Sequence, residues 1–223
     1  MNLSNSHIQN RFGHLIAVEG CIGVGKTTWA KALTKTRLSQ LVLENFTANP
    51  FLQSFYENPH GNALETELHF LLIHYHQLKK IQKENATETI TDFAFFKDNI
   101  FAELNISKPE EIKVFTHLYN YLSEQLRPVD LVIYIRGGDE TILNRIENRK
   151  RAGEMKINED YFIKLSRAYE GFFARYPGHV YTVQADQVDC IKYPEVVLDV
   201  SSDIDKILRI SKPTGFSGNE TAR

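Results

Sequence analysis

The sequence has 223 residues and a formal net charge of −2 at pH 7. This length allows a single domain with a full core, and the balanced charge gives no basic surface for nucleic acid or an anionic membrane. The chain has no membrane-length apolar run, no apolar segment typical of a signal peptide, and two cysteines that make no disulfide framework. We therefore expect one reduced, cytoplasmic domain over residues 12–210, flexible tails at 1–11 and 211–223, and neither a nucleic-acid nor a membrane partner.

Strand-like and helix-like segments alternate along the chain. Short apolar, β-branched runs predict strands at 14–19, 40–44, 87–92, 130–136 and 179–184. Apolar residues at helical spacing predict helices at about 26–37, 62–83, 109–127, 138–151 and 158–175. Near-continuous apolar strands separated by helices are typical of an α/β fold with a parallel sheet covered on both faces. Ligands of such folds bind beyond the carboxyl ends of the strands.

The segment after the first predicted strand matches the phosphate-binding pattern G-x-x-x-x-G-K-[ST] without a mismatch. The residues predicted to contact the nucleotide are Gly20, Cys21, Ile22, Gly23, Val24, Gly25, Lys26, Thr27 and Thr28. The glycines allow a tight turn whose N–H groups converge on phosphate oxygens. Lys26 would reach the β- and γ-phosphates, and the Thr27 hydroxyl would ligate Mg²⁺. A chance glycine-rich turn is the alternative, but a strand before it and a helix after it favour a protein that binds a nucleoside triphosphate.

Motifs of the larger P-loop classes are missing from the sequence. It has no N-K-x-D base-recognition run, no D-x-x-G switch and no L-S-G-G-Q run, which argues against a GTPase and an ABC-type ATPase. A recombinase-type core is normally longer. A small kinase fits the length, and such an enzyme needs a base near the acceptor hydroxyl, Mg²⁺, and mobile cations around the transferred phosphoryl group.

Two carboxylates stand where predicted strands end, next to the P-loop. Glu44 ends the second strand and could accept a hydroxyl proton, although a surface acid is the plain alternative. Asp92 ends the third strand and could hold a magnesium-bound water, or it could cap the next helix.

Three arginines cluster near the end of the helix predicted at 138–151: Arg145, Arg149 and Arg151. The first two share a helical face because they are four residues apart. Basic clusters are often solvated surface. In a protein that binds triphosphate, a mobile arginine lid that stabilises the transferring phosphoryl group is the sharper interpretation.

Over most of residues 12–200 the chain resembles the deoxynucleoside kinase family, which phosphorylates the 5′-hydroxyl of deoxyribonucleosides with ATP. Several motifs carry the resemblance: Val18-Glu19-Gly20 leading into the P-loop, Glu44 followed by the segment at 49–56, Ile100-Phe101-Ala102, and the run at 130–136. Residues 145–157 also align without a gap with the family's lid pattern R-x-x-x-R-x-R-x-x-E-x-x-I. Together these motifs are far more specific than the P-loop alone.

The resemblance implies an α/β P-loop kinase fold: a five-stranded parallel sheet flanked by helices, with an arginine-rich lid, usually as a homodimer. It implies ATP and Mg²⁺ as cofactors and a nucleoside as the substrate. Glu44 matches the catalytic carboxylate, and Asp92 matches the acidic residue of the family's acidic-Arg-Ser motif. Tyr56 and Glu154 match the pair that holds the sugar 3′-hydroxyl, although Tyr56 could also be a core aromatic. The three arginines match the lid residues around the phosphates.

The chain departs from the family pattern around the acceptor. Phe93 follows Asp92, where the family has an arginine. On the helix predicted at 62–83, the family's base-reading glutamine and an arginine seven residues later are replaced by Glu67 and His74. The segment from Asp92 to Ile100 is one residue shorter than in most members of the family. Asp98 is therefore an uncertain match for an acidic residue that the family places near the base.

The Glu67 side chain would decide which purine base the site prefers. An ionised carboxylate is acceptor-only, and guanine offers two adjacent donors that it could accept together. Adenine would place the lone pair of its N1 against a carboxylate oxygen of Glu67, unless Glu67 is protonated. We therefore expect guanine-type over adenine-type purines, unless Glu67 faces solvent or pairs with a lysine and never meets the base.

Three functional hypotheses remain open from the sequence. The first is a kinase for a purine deoxyribonucleoside, of the deoxyguanosine or deoxyadenosine kinase type, in nucleotide salvage. The others are a catalytically weak nucleotide-binding protein on a kinase scaffold, and a kinase for another small hydroxyl acceptor. The presence of Lys26, Thr27, Glu44 and the three arginines favours the first, because a protein without transfer activity has little need for a base at the acceptor.

Overall fold

The computed structural model describes residues 13–58, 61–149 and 158–210. Five strands form one parallel sheet in the order β2-β3-β1-β4-β5. The strands are β1 (His14–Glu19), β2 (Gln40–Val42), β3 (Glu88–Thr91), β4 (Leu131–Arg136) and β5 (Val180–Gln184). The predicted α/β fold with a five-stranded parallel sheet is confirmed.

Helices connect and cover the strands. They are α1 (Lys26–Arg37), α2 (Leu52–Glu57), α3 (Ala63–Ile81), α4 (Phe96–Asn105), α5 (Pro109–Ser123), α6 (Asp139–Arg149), α7 (Glu159–Phe173) and α8 (Glu195–Ile210). The five helices expected from the sequence are present, with somewhat different ends. The helices α2, α4 and α8 were not predicted. Apolar periodicity fails for α4 because its buried face is partly polar, with Lys97, Asp98 and Asn105 all buried.

The second strand is shorter than predicted, and this changes the setting of Glu44. β2 lies at the edge of the sheet and pairs with β3, where Val42 faces Thr91. Because β3 ends at Thr91, β2 has no partner beyond Val42. Glu44 therefore lies in the loop after β2 rather than at the end of a strand.

Apolar layers cover both faces of the sheet. On one face, Ile16 and Val18 of β1 pack with residues of α1 and α8 such as Leu33 and Ile204. On the other face, Leu15 belongs to a cluster with residues of α3, α4 and α5. This alternation follows from the two-residue period of a strand. Within the described ranges, no helix is long and apolar enough to cross a membrane.

The topology brings three connections to one edge of the sheet. β1 is central, between β3 and β4, and its carboxyl end leads into the P-loop. The loops after β2 and β3 carry Glu44 and Asp92 to the same edge. Binding sites of parallel α/β sheets lie at this edge.

Candidate active site

The P-loop has the backbone conformation that phosphate binding requires. Gly25 has φ 106° and directly precedes the first turn of α1. A Cβ at Gly20 would stand 2.3 Å from the Ile135 carbonyl oxygen, so the loop passes β4 at a distance that only glycine permits. Thr28 and Trp29 donate their N–H groups to the Gly25 carbonyl oxygen, whereas the N–H groups of the first two residues of the helix can donate to an anion.

Two cations lie against the P-loop main chain. Lys26 donates from Nζ to the carbonyl oxygens of Gly20 at 2.7 Å and Cys21 at 3.1 Å. Burial lowers the pKa of Lys26 below its usual value. From α6, Arg145 donates to the Val24 carbonyl oxygen at 2.6 Å. The structure therefore brings Arg145 to the phosphate-binding loop, as predicted.

The Cys21 side chain faces away from the loop opening. Its thiol is 3 % exposed and lies 3.7 Å from the Phe162 carbonyl oxygen of α7. Burial raises the pKa of this thiol to about 12. The main chain of Cys21 contributes to the P-loop, while its side chain packs in the apolar cluster next to α6 and α7.

Asp92 connects the P-loop with the loop that carries Glu44. Its Oδ2 accepts a hydrogen bond from the Thr27 hydroxyl at 2.5 Å, and its Oδ1 accepts one from the Glu44 backbone N–H at 2.7 Å. The next helix begins at Phe96, so the alternative of Asp92 as its N-cap is wrong. The neighbouring hydroxyl and carboxylate are oxygen donors that fit Mg²⁺, which prefers a few protein oxygens together with phosphates and water.

The Glu44 carboxylate forms the centre of a buried charge cluster. Its Oε1 lies 2.6 Å from Lys97 Nζ and 3.2 Å from His74 Nε2. The side chain is 16% exposed, so the alternative of a surface acid is wrong. Burial alone would raise the pKa of Glu44, but Lys97 and then His74 outweigh it and hold the pKa well below its usual value. Glu44 is therefore ionised.

His74 is buried between two carboxylates and an aromatic ring. Its Nδ1 donates to Asp98 Oδ1 at 2.7 Å, and its ring stacks on Phe93 with centroids 4.8 Å apart. Burial lowers the pKa of His74, but Asp98 and Glu44 raise it to about 9. His74 therefore carries a positive charge at neutral pH. The second oxygen of Asp98 accepts no hydrogen bond from any described residue.

Glu67 is buried on α3 and is 2 % exposed, so it does not face solvent. Its Oε1 accepts a hydrogen bond from Asn105 Nδ2 at 2.7 Å. Burial raises the pKa of Glu67 to about 8. Near pH 7 this pKa favours the protonated form of Glu67, the alternative left open from the sequence, because a buried charge is poorly solvated.

A single cavity of about 540 Å³ joins these parts. Its lining includes the P-loop residues Ile22–Thr28 together with Glu44, Tyr56, Glu67, His74, Asp92, Lys97, Asp98, Asn105, Arg145 and Tyr161. Tyr56 also packs against the core cluster beside α3, so it is both a lining residue and a partly buried aromatic.

The remaining predicted site residues cannot be placed. Arg149 is the last residue of α6, and its side chain lies outside the described part of the structure. Arg151 and Glu154 also lie outside the described residues. Sequence reasoning missed Lys97 and Asn105, since polar residues on an unrecognised helix carry no motif. The spacing of Lys97 and Phe101, four residues apart, is a signal that could have placed them on one helical face.

Comparisons with known proteins agree with this geometry. Residues 16–209 match the family described as deoxynucleoside kinase. Deoxyguanosine kinase of Bacillus subtilis is 34% identical over 158 residues, covering 70% of this chain and 76% of that protein. Deoxyadenosine/deoxycytidine kinase of the same organism is 30% identical over 167 residues, covering 72% of this chain and 76% of that protein.

The fold has a close match among solved structures. The structure of deoxyadenosine kinase from M. mycoides with the products dCMP and a flexible dCDP bound has a TM-score of 0.76 and 25% identity. The match covers 85% of this chain and 99% of that chain. The family match begins within β1 and includes the P-loop and the whole of the other four strands. The chain therefore belongs to the deoxynucleoside kinase family and is an enzyme of that family.

Proposed function

We propose that this enzyme transfers the γ-phosphoryl group of ATP to the 5′-hydroxyl of a purine deoxyribonucleoside, as a step of nucleotide salvage. The observation that carries the proposal is the position of Glu44. The ionised Glu44 carboxylate lines the same cavity as the P-loop. Asp92 accepts hydrogen bonds from both the Glu44 backbone N–H and the Thr27 hydroxyl. An acceptor hydroxyl placed between them would have a base on one side and the donor phosphates on the other.

Each part of the cavity has a role in this proposal. The P-loop main chain and Lys26 bind the phosphates, and Glu44 accepts the hydroxyl proton. Thr27 and Asp92 would hold Mg²⁺, which neutralises charge on the phosphates when it is bound. Arg149 and Arg151 would join Arg145 as a lid that stabilises the transferring group.

The sugar and base sides involve other residues. Tyr56 and Glu154 would hold the 3′-hydroxyl, and Tyr56 would crowd a 2′-hydroxyl. Glu67 would meet the purine edge. Because protonated Glu67 offers one donor and one acceptor, it resembles a glutamine and tolerates adenine, whereas the ionised form accepts twice and favours guanine. The proposed guanine-type preference therefore holds where Glu67 is ionised, above its pKa of about 8.

The names of relatives support a nucleoside acceptor without selecting the base. Relatives of similar identity are named for deoxyguanosine and for deoxyadenosine and deoxycytidine. A panel of deoxyribonucleosides, ribonucleosides and nucleoside monophosphates, assayed with ATP and Mg²⁺ by direct detection of product, tests the proposal. Phosphorylation of a purine deoxyribonucleoside above all other acceptors is the expected result. Preference for a monophosphate or another hydroxyl compound, or no transfer to any acceptor, would contradict it.

We also propose that the enzyme acts in the cytoplasm as a homodimer. Support for the dimer comes from exposed apolar side chains on α3 and α5, two adjacent helices on one side of the sheet. Leu72, Val114 and Tyr121 are 40%, 57% and 62% exposed. Such side chains on adjacent helices suit helix-to-helix packing between two copies. Light scattering should give twice the chain mass, and a Val114→Glu variant should shift the mass toward the monomer.

A further inference from the structure

The position that carries an arginine in the family pattern holds no charge in this chain. Phe93 is fully buried, and its ring stacks on the His74 imidazole with centroids 4.8 Å apart. An arginine side chain here would lose this stacking and need a partner for its charge. The acceptor side of the site therefore has a different arrangement of cations from the one that the family motif implies.

The lysine that pairs with Glu44 lies shortly after Phe93, at the start of α4. Lys97 is the second residue of α4 and lies four residues after Phe93. Its Nζ is 2.6 Å from Glu44 Oε1, and its side chain is 10% exposed. The ammonium also lies 5.4 Å from the centre of the Phe101 ring, a cation–π distance. Lys97 lines the cavity together with Glu44.

This burial is poorly explained by stability alone. Moving an ammonium and a carboxylate out of water is unfavourable, and replacing a buried ion pair with apolar residues often leaves a protein equally stable or more stable. Lys97 also lies close enough to Lys26 for repulsion to lower the pKa of Lys26. Both lysines line one cavity, so the buried Lys97–Glu44 pair lies within the site rather than in the core.

We propose that Lys97 is a positioning residue for phosphoryl transfer, which holds the Glu44 carboxylate in place and directed toward the acceptor hydroxyl. This inference rests on the proposed role of Glu44 as the base. In this chain the cation thus comes from α4 rather than from position 93, and Phe93 serves instead as a stacking surface for His74.

The first test compares Lys97→Met with Lys97→Arg. The methionine variant should lose about ten- to hundredfold in kcat, with a much smaller change in nucleoside KM, because the carboxylate is no longer held. The arginine variant should keep most of the turnover, because it can still pair with Glu44. Lys108→Met is the matched control, because Lys108 is an exposed lysine paired with Glu111 outside the cavity. Wild-type kcat in Lys97→Met would overturn the proposal.

A double-mutant cycle with Glu44→Gln separates positioning from an independent role. If Lys97 acts through Glu44, the double variant should be no slower than Glu44→Gln alone. Multiplying losses would mean that Lys97 acts on another group or on folding, and would overturn the proposal. Wild-type turnover in Glu44→Gln would instead remove Glu44 as the base. Loss in Glu44→Gln without loss in Lys97→Met would reject the Lys97 inference alone.

Thermal unfolding and ATP binding should be measured for each variant. If Lys97→Met does not fold, Lys97→Gln takes its place in the same cycle, because an amide can still donate to Glu44 without a charge. A reduced kcat and a non-additive cycle in Lys97→Gln would support the proposal. A wild-type kcat or additive losses would overturn it.

Discussion

The half of the cavity that would bind phosphate and the half that would bind the acceptor are formed by different kinds of chemical group. The phosphate half comes from one continuous stretch, and it presents main-chain N–H groups, Lys26 and Thr27. The acceptor half draws its side chains from the loop after β2, from α3 and from α4, and they are Glu44, Glu67, His74, Lys97 and Asn105. Main-chain groups do not titrate, whereas buried acids and bases do. Phosphate binding should therefore vary little with pH, and substrate choice should vary strongly.

The largest effect is expected from a substitution in the phosphate-binding half of the cavity. Lys26→Ala removes the cation that would reach the β- and γ-phosphates, so transfer should become undetectable. The unfolding temperature without nucleotide should stay near that of the wild type, since the side-chain bonds of Lys26 go to two loop carbonyls. Lys31→Ala, at an exposed position of α1, is the matched control. Retained turnover in Lys26→Ala would exclude the P-loop from the mechanism.

The next effect concerns the base of the acceptor half. Glu44→Gln keeps size and hydrogen bonding but cannot accept a proton, so kcat should fall by roughly 10²–10⁴. Nucleoside affinity, measured by calorimetry with a non-hydrolysable ATP analogue, should change much less. A large loss of affinity with unchanged turnover would make Glu44 a binding residue instead.

A smaller effect would sharpen the comparison through pH. The ratio of deoxyguanosine to deoxyadenosine kcat/KM should rise as the pH passes the Glu67 pKa of about 8. Ionisation removes the donor that suits adenine, a mismatch of about 1–3 kcal/mol or roughly ten- to hundredfold. Glu67→Gln should flatten this dependence, while Glu65→Gln, an exposed acid on the same helix, should keep it. A ratio independent of pH in the wild type would reject the base-reading role.

The smallest expected effect concerns the sugar. Tyr56→Phe removes the hydroxyl proposed to hold the 3′-hydroxyl, which should raise the KM for deoxyribonucleosides by roughly two- to tenfold. The ring stays, so the preference for deoxyribose over ribose should remain. Tyr121→Phe, at an exposed tyrosine of α5, serves as the control. Equal activity on ribonucleosides and deoxyribonucleosides in the wild type would reject this assignment.

The difference between the halves also explains what the sequence predicted. The P-loop was predictable because its geometry follows from nine consecutive residues between a strand and a helix. Asp92 and Glu44 were found because strand ends are recognisable, although the early end of β2 was not. The Lys97–Glu44 and Asn105–Glu67 contacts join residues that are 53 and 38 positions apart in the chain. Such contacts arise only when α4 packs against the loop after β2 and against α3, and periodicity does not report them.

Cys21 has a practical consequence for the chemistry that this enzyme tolerates. Thiolates rather than thiols react with oxidants and alkylating reagents. With a pKa of about 12 and 3 % exposure, Cys21 stays a neutral thiol closed to such reagents. Although a cysteine stands inside the nucleotide-binding loop, ATP binding should therefore withstand a peroxide or iodoacetamide treatment that would inactivate an enzyme with a reactive thiol at that position.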